Sequence, residues 1–309
     1  MELRQVEYFI AVANELSFTR AAERVHVVQS ALSTSIAKLE RELGVELFDR
    51  SRQHIKLTRA GERFRTHAYD IVHATRAAGD SVGEFRGELS GTVEFGSLIS
   101  FGPIDVPKAL GDFHRAHPLV RIRLYLNQSG ASAYLSGLVD GSLDLALVSV
   151  PNRFPPQLDM RLLFEESMVF VCRPDHPLAD RRRIGLGSLA EEDLVGFPPE
   201  FGLRNLMDEA FHTAGFQSHT PYEVPAGFGT IAELVSNGLG TAFMPKSEAQ
   251  QFEHLTSIAL HETVTWQVYL ASPPVDRLTS ATARLAETLL DAAADARPTR
   301  SARQTRARR

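Results

Sequence analysis

The chain contains one cysteine, Cys172, so no intrachain disulfide can form. It carries one tryptophan, and no apolar run approaches the roughly 18 residues of a membrane-spanning helix, which excludes a membrane-embedded role. The opening residues, MELRQVEYFIAVANE, lack the basic start, long apolar run and small-residue cleavage site of a secretory signal, so a cytoplasmic location is expected. There is no phosphate loop, no nucleotide fingerprint of spaced glycines and no Gly-x-Ser-x-Gly elbow; no enzyme activity is expected. His114 and His117 lie near a helix end without a cysteine or carboxylate pair to complete a metal site, so neither a metal nor another cofactor is expected.

What is present is an ordinary globular composition over 309 residues, 43% hydrophobic and 23% charged, long enough for two or three domains. Charge is unevenly spread. Residues 1–65 carry a net +2, residues 66–296 a net −13, and residues 297–309 a net +6. A mildly basic head can meet nucleic acid, whereas an acidic body argues against a nonspecific phosphate grip there. The tail from Arg297 to Arg309 has almost nothing apolar to bury and reads as disordered, either simply solvated or adding nonspecific DNA affinity.

Leu3, Val6, Phe9, Ile10 and Ala13 recur at helical spacing, predicting a first helix over 3–14. Ser17 can cap a second, from Phe18 to about Val25, and a third begins near Gln29. Two short helices joined by a tight turn make a helix-turn-helix. In the third, Leu32, Ile36, Leu39 and Leu43 form one stripe, leaving Gln29, Ser30, Ser33, Thr34 and Lys38 outward. Short polar side chains let a helix sit deep in a major groove, where Gln pairs with adenine, Ser or Thr with several bases, and Lys with phosphate or guanine. An ordinary solvated face would carry Glu/Lys pairs, which appear only at the far end. After Gly44, Val45–Phe48 and Ile55–Leu57 can pair as a wing whose Arg50, Arg52 and Lys56 suit phosphate or minor-groove contact.

The run Ser17–Ala22 (SFTRAA), Gln29–Ser33 (QSALS), Ile36, Leu39-Glu40, Leu43-Gly44-Val45, Leu47–Arg50 (LFDR) and Leu57–Gly61 (LTRAG) resembles the DNA-binding domain of LysR-type transcriptional regulators. Val28, Ser30 and Thr34 depart from that family's commonest residues, so an operator sequence does not carry over. The resemblance implies a regulator of transcription acting as a homodimer or homotetramer, with RNA polymerase as a further expected partner.

From Thr58 the pattern stays helical to about Leu89, with Phe64, Ala68, Ile71, Thr75, Ala78, Val82, Phe85 and Leu89 in an a/d register that wants a partner helix; the alternative is a helix lying along its own domain. A two-fold dimer would set two recognition helices on the half-sites of a double-stranded, inverted-repeat operator. Beyond Gly91, apolar strands alternate with helices: strands near Val93–Gly96, Val120–Gln128, Leu143–Val150, Met168–Cys172, Asp193–Phe197, Thr241–Met244 and Val264–Leu270. This order suits two α/β lobes, about 90–160 with 267–296, and about 161–266; the resemblance implies a two-lobed, periplasmic-binding-protein-like effector domain. The expected architecture is therefore an N-terminal all-α winged helix-turn-helix (1–58), a linker helix (59–89), the α/β body (90–296) and the tail (297–309).

Ligands of open α/β sheets lie beyond the carboxyl ends of strands, beside helix N-termini. This places a small-molecule site at Ser97, Ser100, Phe101, Gln128, Ser129 and Ser149 of the first lobe, with Pro198 and Phe228 of the second. Each has a plain alternative: Ser97 or Ser129 as a helix cap, Phe228 as core. Arg204 could meet an acidic effector or simply lie on a helix surface. Cys172, in an apolar strand, reads as a packing residue, and without a second thiol an intramolecular disulfide switch is impossible, which sets the chain apart from peroxide-sensing relatives. The competing reading is a small-molecule binding protein without regulatory DNA binding, suggested by the body alone.

Overall fold

The computed structural model describes residues 1–50, 55–84, 89–98, 100–126, 131–149, 154–199 and 201–296. Arg52, Gln128, Ser129 and the tail 297–309 lie outside the described residues, as do the side chains of Val82 and Phe85.

The head is built from α1 (Leu3–Glu15), α2 (Phe18–Arg24) and α3 (Gln29–Leu43), with a wing of β1 (Phe48–Asp49) and β2 (Lys56–Leu57). Val6, Phe9, Ala21, Leu32, Ile36 and Leu39 fill its core, with Phe48 between the rings of Phe9 and Phe18. Ser17 caps α2 by accepting from the Arg20 amide, as expected. The wing strands are shorter than the sequence predicts. Gly44 takes the left-handed conformation (φ 70°) and Val45 N–H bonds Glu40 O, closing α3, while the Leu47 and Phe48 amides go to the Glu40 carboxylate. Amides 45 and 47 are thus spent on Glu40, and pairing is confined to Phe48↔Leu57 and Asp49↔Lys56.

Thr58 caps α4 (Arg59–Glu84) through its Oγ1, 3.0 Å from the Gly61 amide. The a/d positions divide among different neighbours. Phe64, Ala68 and Ile71 pack into the head core, Thr75 and Ala78 are exposed, and Leu89 packs against the body. The first turns of the helix thus lie along their own domain. Arg65 pairs with Asp140 at 3.1 Å and His73 with Asp144 at 3.4 Å, fastening α4 to the body.

The body runs β3 (Ser90–Ser97), α5 (Val106–Ala116), β4 (Leu119–Leu126), α6 (Ala131–Asp140), β5 (Leu145–Val148), β6 (Asp159–Cys172), β7 (Arg183–Ile184), β8 (Val195–Gly196), α7 (Gly202–Thr213), β9 (Tyr222–Glu223), α8 (Phe228–Ser236), β10 (Ala242–Pro245), α9 (Lys246–Ala249), β11 (Thr256–Leu260), β12 (Thr265–Ser272) and α10 (Ser280–Ala296). In the first lobe the order is β4-β3-β5-β12-β6, with β3 parallel to both neighbours and β12 antiparallel to β5 and β6. The second half of β6, Met168–Cys172, pairs instead with β10 and β11.

One 14-residue strand therefore serves both lobes, and the expected boundary near residue 160 falls inside it. Only its last five residues read as strand in the sequence, because the stretch before Met168 mixes charged and apolar residues without strict alternation. β11 is absent from the predicted strands, although Ile258 and Leu260 are buried between exposed neighbours at strand period. Among the described residues no helix is long and apolar enough to cross a membrane.

Candidate DNA-reading face and effector cleft

Helix α3 presents two faces with different chemistry. Leu32, Ile36 and Leu39 are fully buried, while Gln29, Ser30, Thr34 and Lys38 are exposed and Ser33 is half-buried. Val28, at the N-cap, supplies no side-chain bond and is 69% exposed, so the start of α3 is an open, uncapped surface. Thr34 Oγ1 donates back to Ser30 O at 2.8 Å, which spends its hydroxyl hydrogen within the helix. Lys38 Nζ lies 3.1 Å from Glu2, an exposed contact that DNA phosphate could displace.

The wing cations differ from one another. Lys56 is exposed on β2. Arg50 instead donates to Glu40 Oε2 at 2.7 Å, and its guanidinium sits 4.8 Å from the Phe18 ring centroid. Glu40, mostly buried, thus collects the Leu47 and Phe48 amides and Arg50, pinning the wing to α3 and α2. The sequence offers the signal, since Glu40 and Arg50 are both in the motif that carries the resemblance, but charge counting assigns Arg50 to phosphate.

In the body, a cavity of about 50 Å³ opens between the lobes. Of the expected residues it gathers Ser100, Ser149 and Phe228. Ser97, Phe101 and Pro198 are not among its lining residues. Ser97 is buried, its carbonyl accepting from Tyr134 Oη at 2.6 Å and its own Oγ unpaired among the described residues. Phe101 packs on the main body core, and the Pro198 carbonyl accepts from the Phe201 amide at 3.0 Å.

The cavity also takes in Tyr134, Phe197, Phe201 and Trp266. Phe201 stacks on Phe197, and Phe228 meets Phe197 edge-on. Trp266 is 2% exposed and edge-on to Phe164, and its Nε1 has no hydrogen-bond partner among the described residues. As the chain's single tryptophan it stands out in the sequence; its place in the cleft does not, because that depends on β12 pairing with β6.

Two contacts close the cleft. Ser100 Oγ donates to the Glu248 carboxylate of the opposite lobe while accepting from the Gly102 amide. A Cβ at Gly202 would lie 2.6 Å from Ser149 O, so only glycine lets α7 approach the first lobe this closely. Glu166, on β6 directly opposite Trp266, holds the start of α9 by accepting from Ser247 N and Oγ, both at 2.8 Å. Burial pushes its carboxyl up from the ordinary range, with nearby Glu248 acting the same way and the Ser247 bonds opposing. Arg204 pairs with Asp208 at 2.8 Å and reaches Glu223 and Phe197 O at 3.2 Å, so it is engaged within the second lobe.

A polar helix face on a winged head, joined to a two-lobed α/β body, matches two family models in the same order: the bacterial regulatory helix-turn-helix protein, lysR family, over residues 3–62, and the LysR substrate binding domain over residues 86–294. The chain belongs to the LysR family. It is a DNA-binding transcriptional regulator with an effector-binding domain, and LysR regulators assemble as oligomers, which sets aside the reading as a binding protein without regulatory DNA contact.

Among its relatives, the HTH-type transcriptional regulator ShiR of Corynebacterium glutamicum is 33% identical over 276 residues, 86% of this chain and 92% of that one. A hydrogen peroxide-inducible genes activator of Dickeya chrysanthemi is 28% identical over 251 residues, 81% of each. A full-length OxyR variant from Pseudomonas aeruginosa superposes with a TM-score of 0.73 at 25% identity, covering 95% of this chain and 94% of that one. In this LysR regulator Cys172 is buried in β6, where burial first, then Glu192 and Asp175, push its thiol up to about 11. A thiol so poised holds almost no thiolate at neutral pH.

Proposed function

We propose that this LysR regulator reads an inverted-repeat operator with Gln29, Ser30, Ser33 and Thr34 at base edges and Lys38, Lys56 and Arg52 at phosphates, while Arg50 braces the wing. The observation that carries the reading is the contrast across α3: a fully buried stripe on one side and short polar side chains, exposed at Gln29, Ser30 and Thr34 and half-buried at Ser33, on the other. The effector binds between the lobes against Ser100, Ser149 and Phe228, with Ser97, Phe101, Gln128, Ser129 and Pro198 as further effector-binding residues. Its binding changes the angle between lobes, and the Arg65–Asp140 and His73–Asp144 contacts pass that change to α4 and the head.

The exposed seam positions Thr75 and Ala78 continue toward a dimer contact, and two dimers make the tetramer that meets RNA polymerase. The divisions at 58, 89 and 296 mark the working parts, and the lobes part within β6, between Ser167 and Met168, and again at the start of β12. The protein acts in the cytoplasm and catalyses no reaction. The test is a footprint of the full-length protein on the DNA upstream of its own gene: two protected half-sites with dyad symmetry are expected. Gln29→Ala should weaken that binding about 10-fold or more and leave random-sequence binding unchanged. Equal loss on both DNAs would remove α3 from base reading.

A further inference from the structure

The walls of the cleft are mostly aromatic and aliphatic, with Ser100 and Ser149 as the hydroxyl-bearing exceptions beside Tyr134, and no arginine, lysine or histidine is among the described residues that line it. The formal charges nearest to it are negative. Glu248 reaches Ser100 at its mouth, and Glu166 is the strand partner of Trp266 at its floor. The cation that could have offset them, Arg204, is spent on Asp208 and Glu223, and Lys246 is exposed to water. Donors are nonetheless present: the buried Trp266 Nε1–H lacks a partner among the described residues, and α7 and α8 start at Phe201 and Gly227 without side-chain caps. A buried N–H without an acceptor is costly, so a ligand oxygen that accepts from it is favoured over one that leaves it unpaired.

Resting on the assignment of the cleft as the effector site, we propose that its effector is an uncharged aromatic molecule whose carbonyl or hydroxyl oxygen accepts a hydrogen bond from Trp266 Nε1. Donors without a formal positive charge suit an acceptor oxygen of partial charge. A full carboxylate would be brought beside Glu248 and Glu166, with only the water-exposed Lys246 acting on Glu166 from the opposite sign. An ammonium group would satisfy those carboxylates but present only donors to Trp266, leaving its N–H unpaired. At about 50 Å³ the cavity is well below the roughly 300–1,000 Å³ of ordinary ligand sites, so entry requires the lobes to part and Ser100 to leave Glu248. Recognition and opening are therefore the same event, which is what a regulator needs of its effector.

Because Trp266 is the chain's one tryptophan, its emission reports the cleft without any regulatory assay. Full-length protein should be titrated with four probes of similar size: benzamide, benzyl alcohol, benzoate and benzylamine. Benzamide and benzyl alcohol should give saturable emission changes, with benzoate and benzylamine at least about tenfold weaker, a difference worth about 1.4 kcal/mol. Glu248→Gln, which keeps an acceptor for Ser100, should bring benzoate toward benzamide while leaving the melting temperature near that of the parent. Tightest binding by benzoate or benzylamine would overturn the ligand class and leave the cleft standing. An unchanged benzoate-to-benzamide ratio in Glu248→Gln would overturn the carboxylate's part in the selection. Silence of Trp266 toward all four would overturn the cleft itself as the effector site.

Discussion

The two binding regions of this regulator are built on opposite principles. The candidate DNA-reading face belongs to one helix, and its supports are nearby in sequence: Ser17 caps α2, Gly44 ends α3, and Glu40 ties the wing within ten residues of itself. Its polar groups face outward and wait. The candidate effector cleft is assembled from segments between Leu98 and Trp266, and its walls already hold one another across the lobes, Ser100 on Glu248 and Gly202 against Ser149. A rigid reader and a closing receptor thus lie in one chain, and the difference teaches where regulation resides. The head supplies fixed specificity, whereas the body has partners to exchange.

The largest expected effect would break this comparison if head and body proved to be one unit. Phe9 is fully buried, with its ring 5.2 Å from Phe48 and 4.8 Å from Phe64. Phe9→Ala should cost the head about 3–5 kcal/mol. Followed by far-UV circular dichroism, a helical transition should move to lower temperature, while the Trp266 emission transition of the body stays in place. A joint shift of both signals would show the Arg65 and His73 contacts to be strong enough to merge the two into one cooperative unit.

Next in size is Glu40→Ala, which leaves the Leu47 and Phe48 amides and the Arg50 guanidinium without their shared acceptor. A loss of about 2 kcal/mol is expected in the denaturant-induced unfolding of the head, with Glu40→Gln recovering much of it because its carbonyl oxygen still accepts. If alanine and glutamine behaved alike, the charge on Arg50 rather than the amide bonds would hold the wing.

How much was legible follows the same division. Helix periodicity, caps and the turn placed α1 to α3 within a residue or two, because each signal and its consequence lie in one short window. The first a/d positions of α4, Phe64, Ala68 and Ile71, are spent on the head core, since an apolar stripe specifies burial and not the partner. In the cleft, Ser100, Ser149 and Phe228 followed from strand ends and helix starts. Trp266, Phe201 and Glu248 did not, because β6 and β12 must pair and the lobes must face each other before those side chains share a site. Arg50 marks a different gap: charge predicts where a cation can go, and geometry decides whether an internal carboxylate takes it first.

A smaller effect sharpens the body's side of the comparison. Glu166 has its carboxyl pKa raised in the folded protein, chiefly by burial, so the fold prefers the protonated form. Its contribution relative to the unfolded chain is fully favourable below the ordinary carboxylate range and is lost as pH rises through the raised value. Glu166→Gln, which keeps an acceptor for the Ser247 amide, should therefore match the parent in mild acid and exceed it in melting temperature at neutral pH. A gap that widens on acidification would mean that the Ser247 bonds outweigh burial.

The smallest effect distinguishes two cations that composition treats alike. Lys56 is exposed on β2, free to approach phosphate, so Lys56→Ala should flatten the dependence of log K on log salt by about one unit while binding weakens on all sequences. Arg50 is held by Glu40 and the Phe18 ring, so its guanidinium reaches DNA only by abandoning both. Arg50→Ala should therefore loosen the wing and weaken binding with the salt slope unchanged, and Arg50→Lys should rescue little, since an ammonium cannot reproduce a planar guanidinium on an aromatic face. Titrations of full-length protein on operator DNA across salt concentrations decide it. A slope that falls for Arg50→Ala as it does for Lys56→Ala would mean that Arg50 exchanges Glu40 for phosphate on binding, and the head, like the body, would then carry a contact that its ligand breaks.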